Sequence, residues 1–237
     1  MKSQPETLTI LVPFKNREEN EKIFIPYMKN YMKNYFEEIN YKIVIIEQLN
    51  DKLFNKGVLF NIGFLLTSGT TDYYSLHDID QLPISSDYRY KTIPMHMCIN
   101  SIEQSNTCDL LNTYKELNYE QRGMIIINKE DYIIANGHSN NYWGWGLIDD
   151  DFSLRLIYSG IGLHRISDFK NKCYYISLKA NTKRYSDDKN YKNNYAYAKK
   201  MVNKKINHNI EGLNTTKFEL INKIINKNYI KYQIDFK

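Results

Sequence analysis

The chain of 237 residues is poor in cysteine, in tryptophan and in long apolar runs. Its three cysteines, Cys98, Cys108 and Cys173, are too few and too scattered for a disulfide framework or a zinc site, which favours a reducing compartment. No stretch approaches the ~20 apolar residues that a membrane-spanning helix needs, and residues 1–14 lack the layout of a signal peptide. We therefore expect a cytoplasmic protein without a membrane span.

Neither sign of charge is in large excess. Lysine and arginine number 32 against 27 acidic residues, and the resulting net charge of +5 is compatible with an anionic small ligand. It is too weak to indicate nucleic-acid binding. Apolar residues make up 42% of the chain, which is enough for a core, and the length allows one large domain or two small lobes that share a site.

Apolar runs alternate with helix-like segments in the first third of the chain. "LTILVPF", "YKIVIIEQ" and "YYSLHDID" are typical of buried strands, and the two segments between them have helical spacing, with Pro26 predicted to kink or reset the first helix. This order predicts an α/β fold with a doubly wound parallel sheet. Ligands of such sheets bind at the carboxyl ends of the strands, here "PFKNRE", "EQLND" and "DID".

The remainder of the chain is less regular. The stretch from "QLPISSDYRY" to "ELNYEQ" is predicted to be irregular, and residues 124–127 to form a strand before a short helix that begins near Lys129. "FSLRLIYSG" predicts a helix, and "GLHRIS" and the end of the chain predict strands. Residues 179–205 are polar and lysine-rich, which favours a mobile loop leading into a helix.

Two acids, Asp78 and Asp80, close the third predicted strand in "HDID". They would project to the same side if the extended backbone continued past the strand. Paired carboxylates at a strand end can hold a hard divalent cation, magnesium or manganese, that also binds phosphate oxygens. A D-x-D triplet also occurs often in solvated turns, so the pattern alone leaves both interpretations open.

Basic and aromatic side chains accompany the other predicted strand ends. Lys15 and Arg17 follow the first strand, where an anionic ligand would meet the sheet, and Lys56 adds a further cation for a phosphate. The ring of Phe54 could flank a base or a sugar. Taken singly, these residues are better explained as solvated loop charges and a core phenylalanine.

Both tryptophans of the chain lie in "NNYWGWGLIDDD", residues 140–151. Indole faces stack on the C–H patches of sugar rings, and neighbouring carboxylates can bind the hydroxyls. Alternatively, Trp143 and Trp145 fill the core, and the aspartates begin a helix, where negative charge is favourable. Both interpretations are compatible, because the same helix start could present Asp149 and Asp150 to a ligand.

Four of these motifs together resemble, in order and spacing, the β-1,4-galactosyltransferases, a family of inverting enzymes that use nucleotide sugars. "PFKNRE" resembles the family's P-F-R-x-R, "FNKGVLFNIGF" its F-N-R-A-x-L-x-N-V-G-F, and "HDIDQLP" its D-V-D-L-x-P. "NGHSNNYWGWGLIDDD" is similar to its tryptophan–glycine motif, and "EGLNTTKFEL" matches its late G-L-N segment. The resemblance runs from about Leu8 to Leu220, and "TDYYSLHDID" is most similar to the branch that acts on xylosylproteins.

The resemblance implies a GT-A-like α/β fold with a doubly wound mixed sheet, in one glycosyltransferase domain over residues 1–237. About 1–90 would bind the nucleotide sugar, and about 119–237 would form the acceptor and catalytic half, with 179–205 as a mobile lid. The implied donor is a UDP-sugar that carries galactose or N-acetylgalactosamine, and the implied acceptor is a glycan or glycoconjugate. The implied cofactor is manganese or magnesium.

The resemblance also implies a role for each motif residue. Asp149 would be the general base, and Asp80 would coordinate the metal that bridges the diphosphate. The residues implied to bind the donor are Pro13, Phe14, Lys15, Arg17, Phe54, Lys56, Asp78, Gly123 and Trp145. The residues implied to bind the acceptor are Tyr142, Trp145, Asp149 and Asp150. Inverting transfer needs one base and electrostatic help for the departing diphosphate, and no nucleophilic serine or cysteine.

Two differences from the family's motifs keep a second function open. Ile148 stands where the family has glutamate. Residues 175–187 contain neither histidine nor methionine, the residue types that supply the family's later metal ligands, although Tyr185, Asp187 or Asp188 could replace them. The alternative is a UDP-sugar- or glycan-binding protein of the same fold with impaired catalysis.

Overall fold

The computed structural model describes residues 6–97, 100–102, 124–165, 174–178, 189–203 and 207–237. The helices are α1 (Glu18–Tyr35), α2 (Lys56–Thr67), α3 (Lys129–Ile134), α4 (Ile148–Tyr158) and α5 (Lys189–Val202). The strands are β1 (Thr7–Phe14), β2 (Asn40–Gln48), β3 (Tyr73–Leu76), β4 (Gln81–Pro83), β5 (Met95–His96), β6 (Asn100–Ile102), β7 (Ile125–Asn128), β8 (His164–Arg165), β9 (Tyr174–Ser177), β10 (Glu219–Ile225) and β11 (Ile230–Asp235).

The predicted α/β fold is confirmed, and its centre is an eight-stranded mixed sheet in the order β10-β11-β2-β1-β3-β7-β5-β8. Strands β11, β2, β1 and β3 are parallel, whereas β10 is antiparallel to β11 and β7 is antiparallel to β3. A smaller sheet has the order β4-β9-β6. The parallel part places the carboxyl ends of β1, β2 and β3 side by side.

Both faces of the central sheet are covered. Leu8, Ile10 and Val12 of β1 pack in the cluster that contains the apolar face of α1, whereas Leu11 packs in the cluster that contains α2. Successive side chains of a strand point to opposite faces, so the continuous apolar run of β1 supplies two cores at once. This double burial fixes where the strand ends and therefore where the loops after it lie.

Several local predictions can be compared with the structure. α1 runs through Pro26 without interruption, so the predicted reset is wrong. Pro26 lies on the exposed side of α1, where solvent can bond the carbonyl group that the proline ring leaves unpaired. The predicted strand at residues 124–127 is β7, one residue further along, and the helical part of residues 179–205 is α5. Residues 103–123 and 179–188 lie outside the described residues.

Within the described ranges, no helix is both long enough and apolar enough to cross a membrane.

Candidate active site

The site begins at the carboxyl ends of β1 and β3. Lys15 and Arg17 follow β1, and Asp78 and Asp80 follow β3. Lys56 is the first residue of α2, whose N-cap Asn55 accepts a hydrogen bond from the backbone N–H of Val58. Three loops of the sheet therefore present charged side chains at one edge, the place where ligands of such sheets bind.

Lys56, Asp78 and Asp149 form a cluster that we call the cleft ion cluster. The Lys56 Nζ lies 2.7 Å from Asp78 Oδ1 and 2.9 Å from Asp149 Oδ1. The three side chains are mostly buried, with exposed fractions of 12% for Lys56, 24% for Asp78 and 27% for Asp149. One cation thus joins the acid that follows β3 to the acid near the start of α4, although the two acids are far apart in sequence.

The cluster shifts the acidity of its members. Burial lowers the pKa of Lys56, but the two carboxylates outweigh burial, so the pKa of Lys56 is raised and the ammonium stays charged. Burial raises the pKa of Asp149; Lys56 opposes this effect and Asp78 adds to it, and the net direction is upward. A carboxylate with a raised pKa is a better proton acceptor, which suits a general base.

Close packing of α2 against the segment before α4 brings Lys56 and Asp149 together. A Cβ at Gly57 would lie 2.4 Å from the Ser139 carbonyl oxygen and 2.9 Å from Ile148 Cδ1, so only glycine fits at that position. Ile148 itself is 6% exposed. The residue that replaces the family's glutamate therefore packs against α2 and does not line the cleft.

Asn61 of α2 fixes the same contact with four hydrogen bonds. Its amide donates to the His138 carbonyl and to Asn140 Oδ1, and its Oδ1 accepts from the backbone N–H of His138 and from the Tyr132 hydroxyl. Asn61 is fully buried, so every polar atom of its side chain is satisfied inside the core. The asparagine of "FNIGF" is therefore a positioning residue for the segment that leads to the tryptophans.

A second cluster, the buried ion cluster, consists of Asp151, Arg155 and Glu211. Arg155 Nε donates to Asp151 Oδ2 at 2.6 Å, and Arg155 also donates to the Glu211 carboxylate. Arg155 and Asp151 are completely buried. The Tyr142 hydroxyl donates to Asp151 and the Tyr197 hydroxyl to Glu211, so α4, α5 and the "EGLN" segment are joined.

Tyr142, which the resemblance implies to bind the acceptor, has its side chain packed inside the protein. Tyr142 is 2% exposed and its hydroxyl is bound to Asp151, so the side chain belongs to the core. Pro13 and Phe14 are also buried, and the Lys231 ammonium lies 4.3 Å from the centroid of the Phe14 ring. Both residues, implied to bind the donor, therefore lie within the core at the end of β1.

The other predicted donor residues lie nearer the surface. Lys15 Nζ donates to the carbonyl groups of Asn50 and Lys52, which holds the loop between β2 and α2 against the end of β1. Phe54 is half-buried, and its carbonyl accepts from the Gly144 N–H at 2.8 Å. Arg17 is half-buried at the N-cap of α1. Gly123 lies outside the described residues.

Trp145 and α5 meet in a contact that the sequence did not indicate. Trp145 is 47% exposed, and its ring stacks on Tyr191 at 5.6 Å between centroids. Gly146 has φ of 101°, and a Cβ there would lie 2.8 Å from Tyr191. Asn194 of α5 donates to the carbonyl groups of Trp143, Trp145 and Gly146. Tyr191 and Asn194 lie in a polar helix without a recognisable motif, so no sequence signal marked them.

The two acids after β3 do not continue the strand. The backbone turns there, with Gln81 N–H donating to the Asp78 carbonyl, so strand alternation does not govern the directions of Asp78 and Asp80. Asp80 is half-buried, and its carbonyl accepts from the Leu178 N–H at 2.8 Å. Leu178, the residue after β9, therefore lies beside Asp80. Within the described part of the chain, no group of three or more His, Cys, Asp or Glu side chains is arranged to hold a metal.

Asp150 is the third residue of α4, between the acids of the two ion clusters, and is half-buried. The structure thus brings Lys56, Asp78 and Asp149 into direct contact. It places Asp80, Lys15, Arg17, Phe54, Trp145 and Asp150 at partly exposed positions on the loops and helix starts described above.

Sequence comparison agrees with this geometry. Residues 3–92 match the N-terminal region of glycosyl transferase group 7, and residues 105–180 match the N-terminal domain of galactosyltransferase. The chain is 33% identical to human β-1,4-galactosyltransferase 7 over 69% of its own length and 47% of that protein. It is 31% identical to the xylosylprotein 4-β-galactosyltransferase of Caenorhabditis elegans over 81% of its own length and 66% of that protein. The chain spans about half the length of the human relative.

The fold is also shared with a solved enzyme. A mutant of Drosophila β-1,4-galactosyltransferase 7 in complex with manganese, UDP-Gal and xylobiose superimposes with a TM-score of 0.76 at 23% identity, over 98% of this chain and 94% of that one. The likeness confirms the predicted GT-A-like fold. The two family matches and the relatives above 30% identity show that this chain belongs to the β-1,4-galactosyltransferase family.

Proposed function

We propose that the protein is an inverting galactosyltransferase that moves galactose from UDP-galactose to a sugar hydroxyl and forms a β linkage. Family membership supports galactosyl transfer, and the relative solved with UDP-Gal, manganese and xylobiose supports this donor, a divalent metal and a glycan acceptor. The similarity to a xylosylprotein enzyme favours a xylose-containing acceptor.

The observation that carries the proposal is the bridge that Lys56 makes between Asp78 and Asp149. A transferase of this type needs its base and its diphosphate-binding groups on either side of one anomeric carbon. Asp78 follows a donor-side strand, and Asp149 begins the helix after the tryptophans. Their contact with one ammonium group supports a single site that contains both acids.

Asp149 acts as the general base in this proposal. Its carboxylate accepts the proton of the acceptor hydroxyl while the acceptor oxygen forms a bond to the anomeric carbon of galactose. The bond between that carbon and the UDP oxygen breaks on the opposite face, so the configuration inverts and UDP leaves with the bonding electrons. The raised pKa of Asp149 matches the task, because the base must hold the proton after transfer.

The residues on the donor side bind UDP and neutralise its charge. Lys15, Arg17 and Lys56 supply cations near the ends of β1 and β2, and half-buried Phe54 lies on the loop between β2 and α2. A divalent ion fits the oxygen chemistry of Asp80, since such ions often bind through one or two carboxylates plus substrate phosphates. When bound there, it would supply positive charge to the departing diphosphate.

Lys56 connects donor binding to the availability of the base. Its ammonium pairs with both Asp78 and Asp149. A diphosphate in the cleft competes for the same cation, and each bond that Lys56 makes to phosphate weakens its hold on Asp149. We expect the donor to bind first and the acceptor hydroxyl to take the place of Lys56 at Asp149.

The proposal is tested by measuring UDP release from UDP-galactose in the presence of manganese and a panel of xylosides and glucosaminides. We expect turnover with at least one acceptor, and a β-linked product by proton NMR coupling constants. Absence of turnover with every UDP-sugar and acceptor tested would contradict it.

A binding protein without catalysis is the second candidate, favoured by the apolar packing of Ile148 at the position of the family's glutamate. It predicts that calorimetry detects binding of UDP or glycan while no UDP is released from any UDP-sugar. Measuring both quantities on one preparation separates the two candidates.

A further inference from the structure

A cavity of about 380 Å³ lies beside the tryptophan–glycine segment, and none of the cleft ion cluster lines it. Its walls come from the loop after β2, the segment before α4 and the first turns of α5. The residues that matter for its chemistry are Lys52, Leu53, Asn141, Trp143, Asn190 and Asn193. None of the described residues that line it is acidic.

The side chains at the cavity are of the types that bind carbohydrate. Each asparagine amide both donates and accepts, which matches neighbouring hydroxyl groups of a sugar ring. Trp143 is half-buried and is held by a stacked contact with Phe236 at 5.8 Å, so its indole has a fixed orientation. The volume lies at the low end of the range for small-molecule sites, roughly 300–1,000 Å³, which suits one or two rings.

Lys52 gives the cavity its charge preference. Its ammonium lies 5.6 Å from the centroid of the Trp143 ring, and its carbonyl accepts from Lys15 and Gln48, which fixes the backbone at that point. The side chain of Lys52 is exposed, so it can move to meet a carboxylate at the cavity mouth. With one lysine and no acid among the described lining residues, an anionic ligand is preferred over a cationic one.

The cavity adjoins the Trp145–Tyr191 contact on two chain segments. Asn141 and Trp143 precede Trp145 on one segment, and Asn190 precedes Tyr191 on α5. A glycan held in the cavity would therefore lie next to the segment that leads to Asp149.

We propose that this cavity is a second glycan-binding site that takes one pyranose unit and prefers a uronic acid. The pyranose ring packs against Trp143. The asparagines bind its hydroxyl groups, and Lys52 pairs with its carboxylate. The site goes beyond the proposed transfer reaction, because binding there requires neither UDP nor a metal.

The test is a fluorescence titration of the Trp145→Phe variant, in which Trp143 is the only indole of the chain. The probes are methyl β-D-glucuronide and methyl β-D-glucoside, without UDP-sugar or metal. We expect a saturable change with both, and about twofold to fivefold tighter binding of the glucuronide at low salt, the range for an exposed ion pair. Lys52→Gln should remove that preference and leave binding of the glucoside.

Asn193→Ala provides the second arm, because the Asn193 side chain is exposed and its loss leaves the fold of α5 intact. It should weaken both glycosides by about twofold to tenfold, the effect of one or two lost hydrogen bonds. Lys199→Gln, near the other end of α5, is the matched control and should change neither affinity. Calorimetric titration of the Asn193→Ala variant against the unsubstituted protein repeats the comparison without any tryptophan substitution.

Absence of saturable binding of either glycoside, or binding that Asn193→Ala leaves unchanged, would overturn the proposal. Because the titration involves no turnover, its failure would leave the transfer reaction standing. Failure of the UDP-release assay would equally leave this site standing.

Discussion

The two ion clusters at the start of α4 have the same numbers of positive and negative charges but different surroundings. Each contains one cation and two carboxylates, and their acids Asp149 and Asp151 are separated by a single residue. Asp151 and Glu211 receive further hydrogen bonds from Tyr142, Tyr197 and the Asn140 N–H. Among the described residues, the Asp149 carboxylate is bound by Lys56 alone. The buried cluster is complete, whereas the cleft cluster retains carboxylate oxygens for a ligand.

This difference explains why Asp149 and Asp151, which are one residue apart, have separate roles. The buried cluster holds α4, α5 and the segment before them in one arrangement. Asp149 of the cleft ion cluster lies on the same helix, α4, and its pKa is raised. Substitutions in the two clusters should therefore differ in whether they change stability or catalysis.

Arg155→Leu should have the largest effect, and that effect should be on stability. It leaves Asp151 and Glu211 as uncompensated buried carboxylates, which costs about 3–5 kcal/mol of unfolding free energy. Urea denaturation measures the loss. Lys22→Ala, which removes an exposed pair with Glu19, is the control and should leave the midpoint unchanged. An Arg155→Leu midpoint equal to that of the unsubstituted protein would contradict the structural role.

Lys56→Gln should reduce catalysis, and it should cost less unfolding free energy than Arg155→Leu because Asp78 and Asp149 are more exposed than Asp151 and Glu211. Loss of a charged hydrogen-bond donor to phosphate should raise the KM for UDP-galactose about tenfold or more. Lys56→Arg keeps the charge and should recover most of the loss, which distinguishes the cation from the shape of the side chain. Steady-state kinetics at varied UDP-galactose provide the measurement, and an unchanged KM in the glutamine variant would remove Lys56 from the donor site.

The pH dependence of the unfolding free energy tests the burial of His138. It stacks on Phe152 at 4.0 Å, and burial lowers its pKa well below the ordinary value of 6.5. The folded protein therefore keeps His138 neutral, while the unfolded chain takes up a proton as the pH falls below about 6.5. We expect unfolding free energy to decrease by up to about 1.4 kcal/mol per pH unit in that window from this residue. The slope should be smaller in His138→Gln; equal slopes would contradict the assignment.

The smallest expected effect is a shift in the acid limb of the pH–rate profile. The pKa of Asp149 is raised, so activity should fall on acidification at a higher pH than an ordinary aspartate would give. Lys56 lowers this pKa, so its removal in Lys56→Gln should move the limb to still higher pH. Measuring kcat across pH at saturating donor tests the direction, and a limb that moves to lower pH would contradict it.

The core of the fold could be predicted because its strands are continuous apolar runs. Leu8, Ile10, Leu11 and Val12 indicate a strand buried on both faces, and the order of elements then implies the parallel sheet and its ligand-binding edge. The path of α1 through Pro26 could not be predicted, because it depends on which face of the helix meets solvent. The cytoplasmic location stays a prediction.

The site could be predicted in part. The family's motifs pointed to Asp78, Lys56 and Asp149, but no local pattern indicates that one ammonium joins the two acids. Local sequence also cannot distinguish Asp149 from Asp151, since only their partners elsewhere in the chain decide which is buried. The same limit explains Tyr142, which stands in a binding motif yet packs inward on Asp151.

The most direct test of the central claim is the kinetics of Asp149→Asn together with its affinity for UDP and its unfolding free energy. The substitution removes the base but keeps the shape of the side chain, so we predict a fall in kcat of about 10²–10⁴-fold. UDP affinity should be retained and stability should not fall, because burial already disfavours the charged form of Asp149. A variant that turns over UDP-galactose at the unsubstituted rate would show that proton transfer does not depend on Asp149.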